Sequence, residues 1–163
     1  FKQGESRWLF SEEVFPVCSP QLLAGRSLPL PTDALLELPL LHLRGEGSSN
    51  WFDWSGVFRA LNIQQAPAPG QLRFDNYTLL IQAAIAGQGV AIGWRHLVDA
   101  LLEQGLLCRP IAATAISAHG YYVVLPQRKR RVQLVQQFVD WLATEQAQSG
   151  DLLAGRPLPS IAV

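Results

Sequence analysis

A chain of 163 residues and 18.0 kDa can bury one sizeable core, or divide it between two small lobes. With 48% apolar and 16% charged residues it is not intrinsically disordered, and thirteen basic residues against thirteen acidic ones argue against a module that neutralises a polyanion. No run approaches the ~18 consecutive apolar residues of a membrane span, so no membrane partner is expected. The chain has no methionine and opens on polar Phe1-Lys2-Gln3-Gly4-Glu5-Ser6-Arg7 without an apolar leader, which reads as a fragment or processed product of a longer protein. Cys18 and Cys108 stand far apart, in neither a metal spacing nor a disulfide framework, and read as two partly buried free thiols in a reducing cytoplasm.

In chain order, Leu9–Cys18 is Val- and Phe-rich and predicts a strand stopped by Ser19-Pro20. Gln21–Gly25 predicts a helical turn closed by glycine. Ser27–Leu38 reads as a proline-containing connection in which Thr32 caps a turn through Leu36. Pro39–Leu43 predicts a buried strand, and Arg44–Asn50 a Gly/Ser loop. Trp51–Leu61 predicts a helix capped by Asn50, with Asp53 three residues on and Trp51, Trp54, Val57, Phe58 and Leu61 on one face. Leu72–Phe74 is a short strand. Asn76–Ala86 is a helix, apolar nearly all round and therefore mostly buried, ending at Gly87.

Val90–Trp94 predicts a strand, Leu97–Gln104 a helix closed by Gly105, and Leu106–Ile111 and Tyr121–Leu125 two more strands. Arg131–Gln146 predicts an amphipathic helix with the stripe Val132, Val135, Phe138, Val139 and Leu142, and the tail from Ser149 is expected to fray. Alternation of strand and helix argues an α/β fold with a largely parallel sheet. The segment Leu22-Leu23-Ala24-Gly25-Arg26 recurs at 152–156, a single short match that makes no repeat architecture.

Enzyme signatures are missing: there is no nucleophile elbow, Walker loop, His-Glu-x-x-His or Cys-x-x-Cys, and no metal or cofactor is expected. His42 lies in an apolar strand and reads as a core histidine, whereas His96 and His119 read as solvent-facing. Gly87-Gln88-Gly89 follows a helix and precedes a strand, the reverse of a dinucleotide fingerprint, so these glycines cap and turn. Arg128–Arg131, the only basic run, precedes the last helix and reads as a cluster splayed into water or, alternatively, as a contact for a phosphate or a partner.

Two predicted helix starts follow strands. Gly47-Ser48-Ser49-Asn50 precedes Trp51, and Asp75-Asn76-Tyr77-Thr78 follows Phe74. Carboxyl ends of parallel strands form the ligand edge of an α/β sheet, so both loops should open onto one crevice. Helix starts of this kind either serve only as caps or offer N–H groups to an anion, with Arg44 adding charge. Trp51, Phe52, Trp54, Tyr77 and Trp94 concentrate nearby, where they either pack in the core or present faces to a cation. Such a crevice would suit a small zwitterion or an aromatic acid.

Glu12–Pro20, Leu40-Leu41-His42, Phe74-Asp75 through Ala83–Gly93, Tyr121-Tyr122 to Pro126 and Phe138-x-x-Trp141-Leu142 together resemble LysR-type transcriptional regulators, in the effector-binding domain of the subgroup that contains the glycine cleavage activator. The segment Gly93–Asp99 is similar to regulators of choline and choline-sulfate use. The resemblance spans about residues 9–145 in order; no one motif is diagnostic.

It implies an α/β fold like the type 2 periplasmic binding proteins. Residues 1–19 would be a remnant of the first lobe and its crossover strand, 20–117 the second effector-binding lobe, 118–146 the return strand and helix of the first lobe, and 147–163 a flexible tail. It also implies effector contacts from Ser48, Ser49, Asn50, Asp75, Asn76, Tyr77 and Thr78, with Trp94 at a comparable strand end. The function implied is non-catalytic sensing of a small-molecule effector, a zwitterion or quaternary ammonium compound, in the cytoplasm. DNA would be bound only through a helix-turn-helix that this chain lacks. Sheet edge and apolar surface left uncovered by the first lobe's opening half should drive self-association into a homo-oligomer. The alternatives are a solute-binding protein of a transporter and, against the lack of paired acid and base groups, an enzyme on a related two-lobe scaffold.

Overall fold

A computed structural model describes residues 4–44, 52–67, 72–126 and 133–154 of the chain. The chain divides into two compact units: Glu12–Ser117 forms one, and Phe1–Ser11 with Ala118–Val163, as far as these are described, forms the other. Two long strands belong to both, β1 (Gly4–Val17) and β5 (Ala115–Pro126), and they flank one another in a sheet ordered β4-β1-β5.

The unit Glu12–Ser117 carries the α/β alternation. After β1, Ser19 caps a 3-10 turn over Pro20–Leu23 by accepting a hydrogen bond from Gln21 N. A second 3-10 turn runs Thr32–Leu36. Thr32 is not its cap, as expected from sequence, but its first residue: Pro31 occupies the cap position and has no side-chain oxygen to offer. There follow β2 (His42–Leu43), α1 (Trp54–Ala60), β3 (Arg73–Phe74), α2 (Tyr77–Ile85), β4 (Ala91–Trp94) and α3 (Asp99–Glu103).

Strands β2 and β3 pair in parallel, with His42 opposite Arg73 and Leu43 opposite Phe74. Leu40 bridges Val90 in parallel, through Leu41 N to Val90 O at 2.9 Å and Val90 N to Pro39 O at 2.8 Å. Gly89 permits that approach, because a Cβ there would sit 2.6 Å from the carbonyl oxygen of Pro39. Strand β1 docks antiparallel on β4, from Val14 opposite Trp94 to Val17 opposite Ala91. The two-stranded sheet β2–β3 is therefore parallel, while β1 joins β4 antiparallel in the other sheet.

Period-two alternation sorts the core to two faces. Val14, Cys18, Leu40, Val90, Ile92 and Trp94 pack with Trp54, Val57 and Phe58 of α1. Phe15, Val17, Leu41 and Ala91 pack with Leu80, Ile81 and Ala84 of α2 and with Val98 and Leu107. Helix α2 ends as expected, with Gly87 at φ +76°. It is not buried all round, since Leu79 is 61% exposed.

Strand β1 starts at Gly4 and not at Leu9, β5 at Ala115 and not at Tyr121, and β2 is only His42–Leu43 of the expected Pro39–Leu43; three further elements differ more. Helix α1 begins at Trp54, not Trp51, and its cap is Asp53, whose Oδ1 accepts from Gly56 N at 2.6 Å; Asn50 and Trp51 lie outside the described residues. Leu106–Ile111 is not a strand but two single bridges, Cys18 to Cys108 and Leu30 to Ile111. Pro110 has no N–H to continue a ladder, and only its carbonyl is used, by Leu30 N at 2.7 Å. Helix α4 runs Gln133–Ala154 and so extends into the stretch expected to fray. The basic run Arg128–Arg131 lies outside the described residues, and so does Val132. Of the repeated pentapeptide, Leu22–Leu23 of the first copy end a 3-10 turn, while the described residues 152–154 of the second are α-helical.

In the other unit, the outer half of β1 faces β5 through aromatic pairs. Trp8 meets Tyr122 edge-on at 5.0 Å, and Phe10 lies 4.6 Å from Tyr121. Arg7 binds Asp140 of α4 at 2.6 Å. Val139 of α4 is buried, while Phe138, expected on the buried stripe, is 56% exposed.

Candidate functional site

The parallel pair β2–β3 decides what stands at its carboxyl end. Leu43 lies opposite Phe74, so the residues that follow, Arg44 and Asp75, emerge side by side. Arg44 N donates to Phe74 O at 2.6 Å, and Arg44 Nε meets Asp75 Oδ1 at 3.2 Å, with both side chains more than two-thirds exposed. An ion pair so wet contributes little to stability and leaves both charges available.

Next in sequence, Asn76 caps α2: its Oδ1 accepts from Thr78 N at 2.8 Å and Leu79 N at 3.3 Å. The expectation of open N–H groups at this helix start is therefore modified, because the Asn76 carbonyl already occupies two of them. Its amide nitrogen remains a donor, and the exposed Thr78 hydroxyl stands on the same turn.

Tyr77 fastens this turn to the end of β4. Its hydroxyl donates to Ile92 O at 3.3 Å and accepts from Trp94 N at 3.2 Å, and the two rings meet edge-on at 5.3 Å. Arg44, Asp75, Asn76, Tyr77, Thr78 and Trp94 are thus joined through direct contacts. Ser48, Ser49, Asn50 and Trp51, the other predicted contacts, lie outside the described residues.

Of the described rings, Trp94 and Trp54 do not face outward, while Phe52 and Tyr77 are half-buried. Trp94 is 6% exposed and Trp54 1%. Each indole N–H has a buried acceptor, Glu12 Oε1 at 2.9 Å for Trp94 and Leu41 O at 2.8 Å for Trp54. A satisfied N–H removes the reason for an indole to stay at the surface. A hollow lined by Thr32, Asp33, Leu36 and residues 61–65 shares no residue with this rim.

Behind Trp94 lies a charged cluster that the sequence reading did not single out. Glu12 is buried, and its second oxygen accepts from Ser117 Oγ at 2.8 Å. Glu13 forms a close ion pair with Arg95, whose backbone N–H donates to Glu13 O at 3.0 Å. Arg109 stacks 4.3 Å over the Phe15 ring and donates to Ala112 O, Ala113 O and Thr114 Oγ1, fixing the entry to β5. Burial and then Arg95 push its pKa down, against Glu13. No local signal marks Glu12, since residues 14–18 are buried at both strand parities and Glu13 shares its parity with buried Phe15 and Val17. The partners of Glu12 are 82 and 105 residues away, and no local spacing reveals them.

The two cysteines, ninety positions apart, are direct neighbours. Cys18 N donates to Cys108 O at 3.0 Å and Cys108 N to Cys18 O at 2.8 Å. Cys18 is buried and Cys108 half-buried, and both are free thiols. His96, exposed as expected, adopts φ +70° while its N–H donates to Asp99 Oδ2 at 3.0 Å.

Among the described residues no helix is long and apolar enough to cross a membrane, and no three His, Cys, Asp or Glu side chains cluster as metal ligands. Solved structures share the fold. The effector domain of the transcriptional regulator AmpR of Pseudomonas aeruginosa superimposes with a TM-score of 0.71 at 23% identity, covering 96% of this chain and 71% of that one. The regulatory domain of CrgA, a LysR-type regulator of Neisseria meningitidis, gives 0.63 at 22% identity, covering 89% of this chain and 70% of that one.

Among curated proteins, the glycine cleavage system transcriptional activator of Escherichia coli is 31% identical over 145 residues, which is 85% of this chain and 44% of that protein. The transcriptional regulator DsdC of the same organism is 29% identical over 140 residues, 83% of this chain and 44% of that protein. The chain thus spans less than half the length of these relatives. The family model described as the LysR substrate binding domain matches residues 2–147, and the chain belongs to that family.

Proposed function

We propose that this chain is the small-molecule-sensing part of a bacterial LysR-type transcription regulator. It works in the cytoplasm, as a homo-oligomer, and reaches DNA only through a helix-turn-helix elsewhere in its parent protein. It acts by binding and not by catalysis. In this reading residues 20–117 are the effector-binding lobe, and 1–19 and 118–146 belong to the first lobe. Supporting it are membership of the substrate-binding family and the wet Arg44–Asp75 pair standing beside the first turn of α2.

A small zwitterion matches that rim. Its carboxylate is received by the Arg44 guanidinium, the Asn76 amide N–H2 and the Thr78 hydroxyl, and its ammonium by Asp75. Ser48, Ser49, Asn50 and Trp51 complete the contacts. Tyr77 and Trp94 hold the turn against β4 and do not cage the ligand, so recognition of the cation is by charge and admits primary and quaternary ammonium alike. The ligand changes the regulator's output only as far as its affinity differs between two states.

Glycine is the first probe, since one relative is named for the glycine cleavage system. Thermal melting of the protein with glycine, betaine, choline and benzoate tests the proposal. Glycine or betaine should raise the melting temperature, while choline and benzoate, each carrying one of the two charges, should raise it less. Arg44→Ala and Asp75→Ala should each lose the shift. A zwitterion panel without effect, or variants that keep the full shift, overturns the reading.

A further inference from the structure

We infer that Cys18 and Cys108 form an oxidation site, a dithiol that hydrogen peroxide or a small organic hydroperoxide converts to an intrachain disulfide. The two residues face one another across an antiparallel bridge and exchange both backbone hydrogen bonds, at 3.0 and 2.8 Å. Residues opposed in this way have Cα atoms about 5.5 Å apart and side chains on the same face. That separation falls within the roughly 4.4–6.8 Å a disulfide spans, so the bond needs rotation of side chains and no displacement of backbone.

The two thiols are not equivalent. Cys18 is fully buried in the core beside Val14, Leu23 and Ile111, while Cys108 is half-buried and reachable by a small oxidant. Interaction between the two thiols holds the pKa of Cys108 below the ordinary value and, with burial, raises that of Cys18. Cys108 is therefore the attacking sulfur and Cys18 the resolving one. The Cys108 thiolate attacks one peroxide oxygen; the O–O bond breaks, and the departing oxygen leaves as water, or as an alcohol from an organic peroxide, with the proton Cys108 gave up. The resulting sulfenic acid then meets the Cys18 thiol: the S–S bond forms, the S–O bond breaks, and the hydroxyl leaves as water with the proton of Cys18. Two thiols and one peroxide thus yield one disulfide and two waters, or one water and one alcohol.

The bond would tie the end of β1 to the segment just before Arg109, the residue that holds Ala112, Ala113 and Thr114 at the entry to β5. Oxidation would covalently join the exit of one long strand to the approach of the other. Disulfides in a reducing compartment are mostly transient and sensory, and a pair pre-arranged in this way fits that use. The inference does not depend on the ligand proposed above.

The test is hydrogen peroxide titration of the reduced chain, quenched with N-ethylmaleimide and read by intact mass and peptide mapping. The expected result is loss of two hydrogens, a cross-linked peptide pair holding Cys18 and Cys108, no intermolecular species, and full reversal by dithiothreitol. In Cys18→Ala the disulfide is lost and dimedone traps a sulfenic acid at Cys108. In Cys108→Ala, Cys18 stays reduced at the same peroxide. Circular dichroism checks the fold of each variant, and Cys18→Val replaces Cys18→Ala if the alanine cavity unfolds it. Wild-type protein that keeps both thiols while a cysteine peptide in the same solution is consumed overturns the inference. So does cross-linking found only between chains, or oxidation of Cys18 in Cys108→Ala as fast as that of Cys108 in Cys18→Ala.

Discussion

Glu12 keeps a carboxylate inside the protein by giving each oxygen its own donor, the Trp94 indole N–H and the Ser117 hydroxyl. Removing one donor leaves a buried acceptor unsatisfied, which costs more than the bond contributes when made. Trp94→Phe keeps most of the ring's packing on Tyr77 and deletes that donor, so it should destabilise the chain by about 1–3 kcal/mol in urea unfolding. If the cost is no larger than that of an ordinary surface substitution, Glu12 has another source of compensation. Cys108 gives a second test at this scale. Its thiol lies below the ordinary value because of its interaction with Cys18, so its thiolate should persist at lower pH than that of a free cysteine. The pH profile of its alkylation by iodoacetamide should lie acid of a model thiol's and move back toward it in Cys18→Ala. For stability the two thiols act in opposite senses: the depressed Cys108 contributes above its unfolded pKa and loses that contribution as pH falls through the folded one, whereas the raised Cys18 contributes below its unfolded pKa and loses that contribution as pH rises. Glu12 was not legible as an inward residue, because the strand after it is buried at both parities and so does not separate it from Glu13. The Cys18–Cys108 pair was not legible, because contact between residues ninety positions apart is a property of the sheet and leaves no local pattern.

At the scale of elements, the best-read pieces are those whose caps and core stripe agree. Helix α2 begins on Asn76 and turns out at Gly87 because capping amide, apolar run and αL glycine all mark the same bounds. Asn76→Ala should cost about 1 kcal/mol, while Asn76→Asp keeps the cap and should cost little. Thermal or urea melts of both separate the capping role from general damage. Helix α1 was read three residues too early because Asn50 and Asp53 are both eligible caps. The start follows Trp54, whose indole N–H is held by Leu41 O in the core. The stretch 106–111 has the composition of a strand but carries Pro110, and its backbone makes only isolated bridges. Gly89 shows where an element depends on a missing side chain. Gly89→Ala must push Val90 away from Pro39 and Leu41, at a cost of about 1–3 kcal/mol as overpacking.

For the whole molecule, alternation of strand and helix fixed the α/β class, and the antiparallel docking of β1 escaped it because that pairing joins residues 74 to 80 positions apart. Composition along α4 raises a further question that the fold does not answer within one chain. The helix carries two apolar stripes at spacings of four and three. Val135, Val139 and Leu142 are the inner one, with Val139 buried, while Leu134, Phe138 and Trp141 are each more than half exposed. Phe138 and Trp141 stack on each other at 5.7 Å, so the outer stripe is already ordered. Rings and a leucine at i, i+4 and i+7 are the arrangement by which a helix lays itself against another apolar surface, and a patch of this kind is uncommon on a monomer. The homo-oligomer proposed above should therefore form through this face of α4. Sedimentation velocity should show the chain shifting to a larger species with concentration. Phe138→Glu combined with Trp141→Glu should return it toward the monomer with the helical signal in circular dichroism unchanged. The double variant leaves Val139 and the Arg7–Asp140 pair in place, so loss of association without loss of helix isolates the outer stripe. A wild-type chain that stays monomeric up to its solubility limit, or a double variant that associates as strongly as wild type, would move the contact elsewhere.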